Sequence, residues 1–339
     1  MVAPLSHGAG VHFLPQLARG VVSVLPEGPG LAADQVWRLV AQHHITNMFT
    51  VPTILNRLTS DPSVNAHDHS SLRCVIYAGA PMYRADQIQA LEKLGKVLVQ
   101  YFGLGEVTGN ITVLPAHEHH LGRDPHEGTC GYARTGIDIS IQSESGEVLP
   151  PHSPGEICIA GGAVFAGYYK APELTAECYT EDGFFKTGDR GEYTDDGLLR
   201  ITGRVKELFK TSKGKYVAPV PIENLINNHH LIEISCVSGP GRQACHAIVQ
   251  LDESLRGKIH DSAFRKQAGE ELEALLHDVN SKIEEYECVQ FIAVAGEPWE
   301  IANDFLTPTL KIKRDRIEAA YAPQLDAWYD SGQRIIWPD

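Results

Sequence analysis

The sequence holds seven cysteines but no Cys-x-x-Cys pair. Cys74, Cys130, Cys158, Cys178, Cys236, Cys245 and Cys288 are scattered and odd in number. That pattern indicates neither a cysteine zinc site nor a disulfide framework, and it fits reduced thiols in a cytoplasmic protein. No apolar run approaches the roughly 20 residues that span a bilayer. The opening Met1-Val2-Ala3-Pro4-Leu5-Ser6-His7 lacks the charged start and apolar core of a secretion signal. Positive charge is scarce too. A net charge of -14 argues against nucleic acid as the main partner. No internal repeat or low-complexity tract interrupts the chain. What is present is an ordinary globular composition, 43% hydrophobic and 21% charged. The 339 residues are enough for two domains, each with its own core.

The first part alternates helix and strand. Residues 33–44 carry Val36, Leu39 and Val40 on one helical face. Residues 85–94 read as a second helix, and 96–101 as a buried strand that delivers a Phe102-Gly103 turn. Such alternation predicts an α/β layer. The pattern then becomes strand-rich, with strands at 137–141 and 156–160 and turn signals at Ser145-Gly146 and Asp182-Gly183. Beyond Gly203 the expected elements are a short helix at 221–227 and strands at 234–237 and 247–251. A long helix follows, with Leu272, Leu275, Leu276, Val279, Ile283 and Tyr286 on one face, and another helix at 312–321. These form a small α+β domain. The expected domains are therefore 1–203 and 204–339, with the boundary between Gly203 and Lys206.

Phe185-Lys186-Thr187-Gly188-Asp189-Arg190 places an acidic residue in a Thr-Gly-Asp turn. Such an acid can hold the paired hydroxyls of a ribose, or it can cap local backbone as turn aspartates commonly do. Downstream, Thr202-Gly203-Arg204-Val205-Lys206-Glu207 offers an arginine able to hold the same sugar or its phosphate through a bidentate fork. Arg204, Lys206, Lys210, Lys213 and Lys215 crowd one short segment of an acidic chain. By charge alone that segment is a solvated loop. His117-Glu118-His119-His120 contains metal donors, but adjacent histidines in a polar loop do not converge as spaced ligands do, so no metal site is expected there.

Together with Phe102-Gly103-Leu104-Gly105-Glu106 and Pro308-Thr309-Leu310-Lys311, these segments resemble the acyl-adenylate-forming superfamily. It contains acyl-CoA synthetases, peptide-synthetase adenylation domains and luciferases. The motifs stand in family order from Pro4 to about Tyr321. The resemblance implies the C-terminal part of a large α/β adenylate-forming domain, with mixed sheets, helices and a strand-rich subdomain. A small, mobile α+β domain follows. It also implies a reaction: a carboxylic acid attacks the α-phosphate of ATP, releasing pyrophosphate, and the acyl-adenylate then passes its acyl group to the thiol of coenzyme A.

The implied roles follow residue by residue. Gly79-Ala80-Pro81 lies along the adenine and acyl pocket. Phe102, beside Gly103, lies against adenine, where an aromatic face suits a flat base. Glu106 helps to hold Mg²⁺, a hard cation that takes oxygen ligands. Asp189 and Arg204 hold the nucleotide. Lys206 is the hinge about which the small domain swings. The loop at Lys213-Gly214 enters the site for the second step, where Gly214 lets backbone pass close to the pantetheine arm. Lys311 bridges the carboxylate and the α-phosphate as a mobile point charge, and His7 borders the acyl pocket.

Two departures from the family pattern stand out. Gly105 occupies the place of a threonine whose hydroxyl contacts the α-phosphate. No Ser/Thr/Gly-rich phosphate loop precedes Pro4-Leu5-Ser6-His7. The expectation is the back part of the large domain plus the small domain, with sheet edges and apolar faces left uncovered and a tendency to homodimerise. The form Thr307-Pro308-Thr309-Leu310-Lys311 is closest to that of long-chain fatty acyl-CoA synthetases, so the implied substrate is a fatty or aryl acid. Two other readings stay open: a non-catalytic module that binds nucleotide or CoA, and an adenylation domain that loads a separate carrier protein.

Overall fold

The computed structural model describes residues 2–6, 8–28, 31–80, 82–122, 128–307 and 311–338. It divides into two compact units, Met1–Thr202 and Gly203–Asp339.

The first unit opens with α1 (Gly8–Ala18) and α2 (Ala33–His43), followed by β1 (Asn47–Thr50), α3 (Pro52–Ser60), β2 (Cys74–Ala78), α4 (Arg84–Leu94) and β3 (Leu98–Phe102). Strands β1, β2 and β3 are parallel neighbours, with Phe49 opposite Ile76 and Ala78 opposite Tyr101. Helices therefore connect them, as parallel neighbours require. The sheet closes with antiparallel β4 (Thr112–Leu114) and β5 (Tyr132–Ala133). Its core includes Trp37, Leu55, Leu58, Tyr77 and Leu98, all fully buried. Trp37 satisfies its one polar atom by donating Nε1–H to the Leu58 carbonyl at 2.9 Å. A second sheet takes β6 (Ile137–Gln142), β7 (Gly155–Gly161), β8 (Phe185–Tyr193) and β9 (Leu199–Arg204) in that order, and α5 (Pro172–Glu177) precedes β8. Phe102 packs into both clusters that join the two sheets, one around Ile159 and Phe185 and one around Ile157 and Leu199.

The second unit starts with a tight hairpin, β10 (Phe209–Lys210) and β11 (Tyr216–Val217), then α6 (Pro219–Asn227), β12 (Ile232–Ser238), β13 (Cys245–Leu251) and α7 (Ser262–Asn280). It continues through β14 (Val289–Val294), α8 (Arg314–Asp330) and β15 (Ile335–Ile336). The sheet order is β12-β13-β14-β15. Every residue of β13 is buried, because both faces of this sheet are covered. Val237, Val249 and Ile292 face Leu272 and Leu276 of α7, while Cys236 and Ile248 face Ile317 of α8.

Three details differ from the sequence reading. Helix α7 ends at Asn280, so Ile283 and Tyr286 lie beyond it, yet both still pack on the same core. Helix α8 runs on to Asp330, past Pro323. The Thr187-Gly188-Asp189 segment is part of strand β8 rather than a turn between elements. Gly188 has φ +72°, and β7 and β8 shift register between Glu156 and Cys158.

Candidate functional site

The parallel strands of the first unit end side by side, and the motif residues follow them. Gly79 continues from β2 with φ +87°, a backbone that favours glycine. A Cβ there would lie 3.9 Å from the Val51 side chain, which sits just past β1. Phe102 ends β3, and the Ile111 N–H donates to its carbonyl at 2.7 Å. Gly103 then passes against another stretch of backbone: a Cβ would fall 1.9 Å from the Gly109 carbonyl oxygen, so only glycine fits. The chain next forms a 3₁₀ turn, Gly105–Val107, with Glu106 half-buried on it. In sheets of this kind, ligands bind beyond the carboxyl ends of the strands. Gly79, Ala80, Phe102, Gly103 and Glu106 all stand at that edge. His7 and Pro81 lie outside the described residues.

Glu106 is held from two sides. The Tyr168 hydroxyl donates to its Oε1 at 3.0 Å, and the Phe165 N–H donates to its backbone carbonyl at 2.7 Å. Burial, then the hydrogen bond to this carboxylate, pushes the Tyr168 phenol up to about 12, so it remains a donor across neutral pH. Tyr168 is 62 residues from Glu106, and no local pattern reveals the pairing. An oriented carboxylate with a hard oxygen donor fits a magnesium ion.

Asp189 is 9% exposed and comes from the second sheet. Its backbone is fastened on both sides. Thr187 Oγ1 accepts from the Asp189 N–H at 3.1 Å and donates to the Ile157 carbonyl at 2.7 Å, while the Gly188 N–H donates to Glu156 Oε1 at 3.1 Å. Burial pushes the nearby Cys130 thiol up to about 12, and the Asp189 charge adds to the effect. The Cys130 carbonyl accepts from Thr112 Oγ1 at 2.7 Å, and Thr112 is the β4 partner of Phe102. Asp189 thus belongs to the same region of the first unit as the Phe102 turn.

The remaining motif residues are in the second unit. Arg204 ends β9, and Lys206 lies on the 3₁₀ turn Val205–Glu207; both are exposed. Lys213 and Gly214 form the tip between β10 and β11. The Thr211 N–H donates to the Lys215 carbonyl and the Gly214 N–H donates to the Thr211 carbonyl, each at 2.9 Å, and Gly214 has φ +78°. Lys311 is exposed at the foot of a small loop closed by a Leu306–Ile312 bridge. Its N–H donates to Thr307 Oγ1 at 3.1 Å, and the Thr307 N–H donates to its carbonyl at 2.8 Å. Pro308, Thr309 and Leu310 lie outside the described residues. Lys313, two residues further on, is ion-paired with Asp304, which also takes Arg316 at 2.9 Å.

Arg314 anchors this loop, through a partner that the sequence did not disclose. It donates to Glu223 Oε1 at 2.6 Å, to Glu223 Oε2 at 3.0 Å and to the Val237 carbonyl at 2.7 Å. Glu207 lies 4.0 Å from it. Burial is the largest influence and would lower its pKa, but Glu223, Cys236 and Glu207 together outweigh it and keep the guanidinium charged. The His117–His120 segment proves not to be a plain polar loop. His119 is fully buried, its Nδ1–H donates to the Pro115 carbonyl at 3.0 Å, and its Nε2 lies 3.0 Å from the Tyr77 hydroxyl.

The sequence profile of the AMP-binding enzyme family matches residues 1–169, and that of the AMP-binding enzyme C-terminal domain matches 207–333. Long chain acyl-CoA synthetase 1 of Arabidopsis thaliana is 31% identical over 277 residues, covering 76% of this chain and 41% of the relative. Feruloyl-CoA synthase of an Amycolatopsis species is 32% identical over 243 residues, covering 70% and 47%. Among solved structures, amide bond synthetase McbA from Marinactinospora thermotolerans superposes with a TM-score of 0.78 at 25% identity, covering 94% of this chain and 60% of that one. The chain thus spans less than half the length of the two relatives. Among the described residues, no helix is long and apolar enough to cross a membrane.

Proposed function

This chain belongs to the AMP-binding enzyme family, and on that premise we propose that it is an ATP-dependent acyl-CoA synthetase acting on a fatty or aryl carboxylic acid. The observation that carries the reading is the arrangement at the carboxyl ends of β2 and β3. There a glycine turn, an aromatic residue and an oriented carboxylate stand together, with a buried aspartate supplied from the second sheet. The likeness to one long-chain and one aryl CoA-forming enzyme supports the substrate class.

In this proposal Phe102 and Gly103 receive the adenine, and Asp189 and Arg204 receive the ribose. Gly79 and Ala80 line the pocket with Pro81, and His7 borders the acyl group. Glu106, kept in orientation by Tyr168, would hold magnesium, whose charge neutralises the phosphates when bound. Lys311 places a positive charge between the acid and the α-phosphate, so the carboxylate oxygen bonds to phosphorus as pyrophosphate departs. The thiol of CoA then attacks the acyl carbon and AMP leaves. Lys213 and Gly214 deliver the thiol after a rotation at Lys206. That hinge position is supported by its neighbours: the Cys130 N–H donates to the Leu199 carbonyl and the Leu199 N–H to the Gly131 carbonyl within the first unit, and Glu207 faces Arg314 within the second. Seven free cysteines support a cytoplasmic location. Exposed apolar residues in and after α1, including Leu14, Leu17 and Val22, support homodimerisation, which sedimentation would test.

The decisive experiment is pyrophosphate release from ATP and Mg²⁺ with a panel of fatty and aryl acids. Lys311→Ala should lower it about 100-fold or more, the scale of removing one charge-stabilising donor. Lys313→Ala, which removes one of the two basic partners of Asp304, should leave it within a few fold. AMP or CoA binding with no pyrophosphate release would overturn the enzymatic reading in favour of a binding module.

A further inference from the structure

We propose a metal site in the second unit, formed by His229, His230 and Glu271 and suited to a zinc-class divalent ion. It is independent of the adenylation reading. The two histidines lie on the turn between α6 and β12, and Glu271 lies on α7. One donor atom from each falls within 4.8 Å of the others. His230 Nε2 is already 3.4 Å from Glu271 Oε2. Four-coordinate zinc holds nitrogen and oxygen donors at about 2.0–2.2 Å, which sets the donors roughly 3.3–3.6 Å apart. One edge of the triangle has that length, and the others close by about an ångström or so. The exposed side chain of His230 can supply that movement by rotating.

The chemistry of the set is selective. Two imidazoles and one carboxylate suit zinc and its borderline neighbours better than magnesium, which prefers oxygen ligands throughout. A fourth position would be open to water, as in three-ligand zinc sites. The carboxylate is also oriented. Gln267, one turn earlier on α7, donates Nε2–H to Glu271 Oε1 at 3.1 Å and leaves Oε2 directed at His230. Partners of this kind fix metal ligands in place and tune their affinity. Histidines at 117–120 fail where 229 and 230 succeed for a plain reason. In that segment His119 is buried and taken by Pro115 and Tyr77, whereas the His229 and His230 rings lie 4.6 Å apart at 36°, facing a carboxylate. An ion here would clip the turn after α6 to the middle of α7.

The test is titration of the full, chelator-treated chain with Zn²⁺ by calorimetry. One ion should bind per chain with micromolar or tighter affinity. His230→Ala and Glu271→Gln should each weaken binding at least tenfold, while Mg²⁺ in excess should not compete. Co²⁺ in place of Zn²⁺ should give the strong visible absorption of a four-coordinate site, lost in both variants. His230 is 72% exposed and Glu271 33% exposed, so the metal-free variants should melt as the parent does, which separates lost binding from lost folding. Unchanged Zn²⁺ affinity in both variants, or no stoichiometric binding by the parent, would overturn the proposal.

Discussion

Glu223→Ala removes one half of a charge pair whose side chains are 10% and 8% exposed, for Arg314 and Glu223 respectively. Breaking a buried pair from one side costs about 3–5 kcal/mol, because the survivor keeps its desolvation penalty without compensation. Arg314 retains the Val237 carbonyl at 2.7 Å and has Glu207 at 4.0 Å, so the low end, about 3 kcal/mol, applies to this term. Glu223 also accepts from the Val237 N–H at 2.7 Å, and orphaning that donor adds about 1 kcal/mol. For a unit of this size, about 4 kcal/mol lowers Tm by roughly 15 °C. The assay is a thermal melt followed by near-ultraviolet circular dichroism. Trp299, Trp328 and Trp337 report on the second unit and Trp37 on the first, and the two units can unfold separately. Combining Glu223→Leu with Arg314→Met replaces both charges by apolar groups, which is often neutral or stabilising, and should recover most of the loss. A fall below about 5 °C in Glu223→Ala, or a double variant no better than the single, would refute this account of the anchor.

Burial, with Arg242 nearby, pushes His246 down from 6.5 to about 4. Because the unfolded state takes the proton first, its contribution to stability is complete above about pH 6.5 and is lost as pH falls toward 4. At about 1.36 kcal/mol per pKa unit, roughly 2–3 kcal/mol should be lost by pH 4.5. Urea melts of the parent and of His246→Leu should differ in slope over that window, and identical slopes would remove His246 as the cause. At the Phe102 turn, two glycines should respond oppositely. Gly103→Ala drives a Cβ to 1.9 Å from the Gly109 oxygen and should cost about 3 kcal/mol or more. Gly105→Thr, with nothing within 4 Å of its Cβ, should stay within about 0.5 kcal/mol of the parent. Equal effects at the two positions in urea melts would contradict the geometry.

What could be read from the sequence, and what could not, divides by the range of the interaction. Helical periodicity disclosed α2, α4 and α7, and the apolar run at 96–101 disclosed β3, which runs one residue further, to Phe102, because these depend on residues a few positions apart. Ile283 and Tyr286 kept the helical spacing while the backbone left the helix. They bury on the same core through the short turn Glu285–Glu287, so burial periodicity outran the hydrogen-bond ladder that ends α7. Thr187-Gly188-Asp189 carried the composition of a turn, but the neighbouring strand β7 drew it into a sheet, with the glycine absorbing the irregularity. The supports of the candidate site were least legible. Tyr168 reaches Glu106 across 62 residues and Arg314 reaches Glu223 across 91, and neither pair leaves a local signature. The motif residues are those that would meet ligand, and their chemistry is written in short spans. The groups that hold them steady are distant partners chosen by the fold. Substitutions at Tyr168 or Glu223 should therefore disturb Glu106 or the Lys311 loop as strongly as changes within the motifs, although no motif contains them.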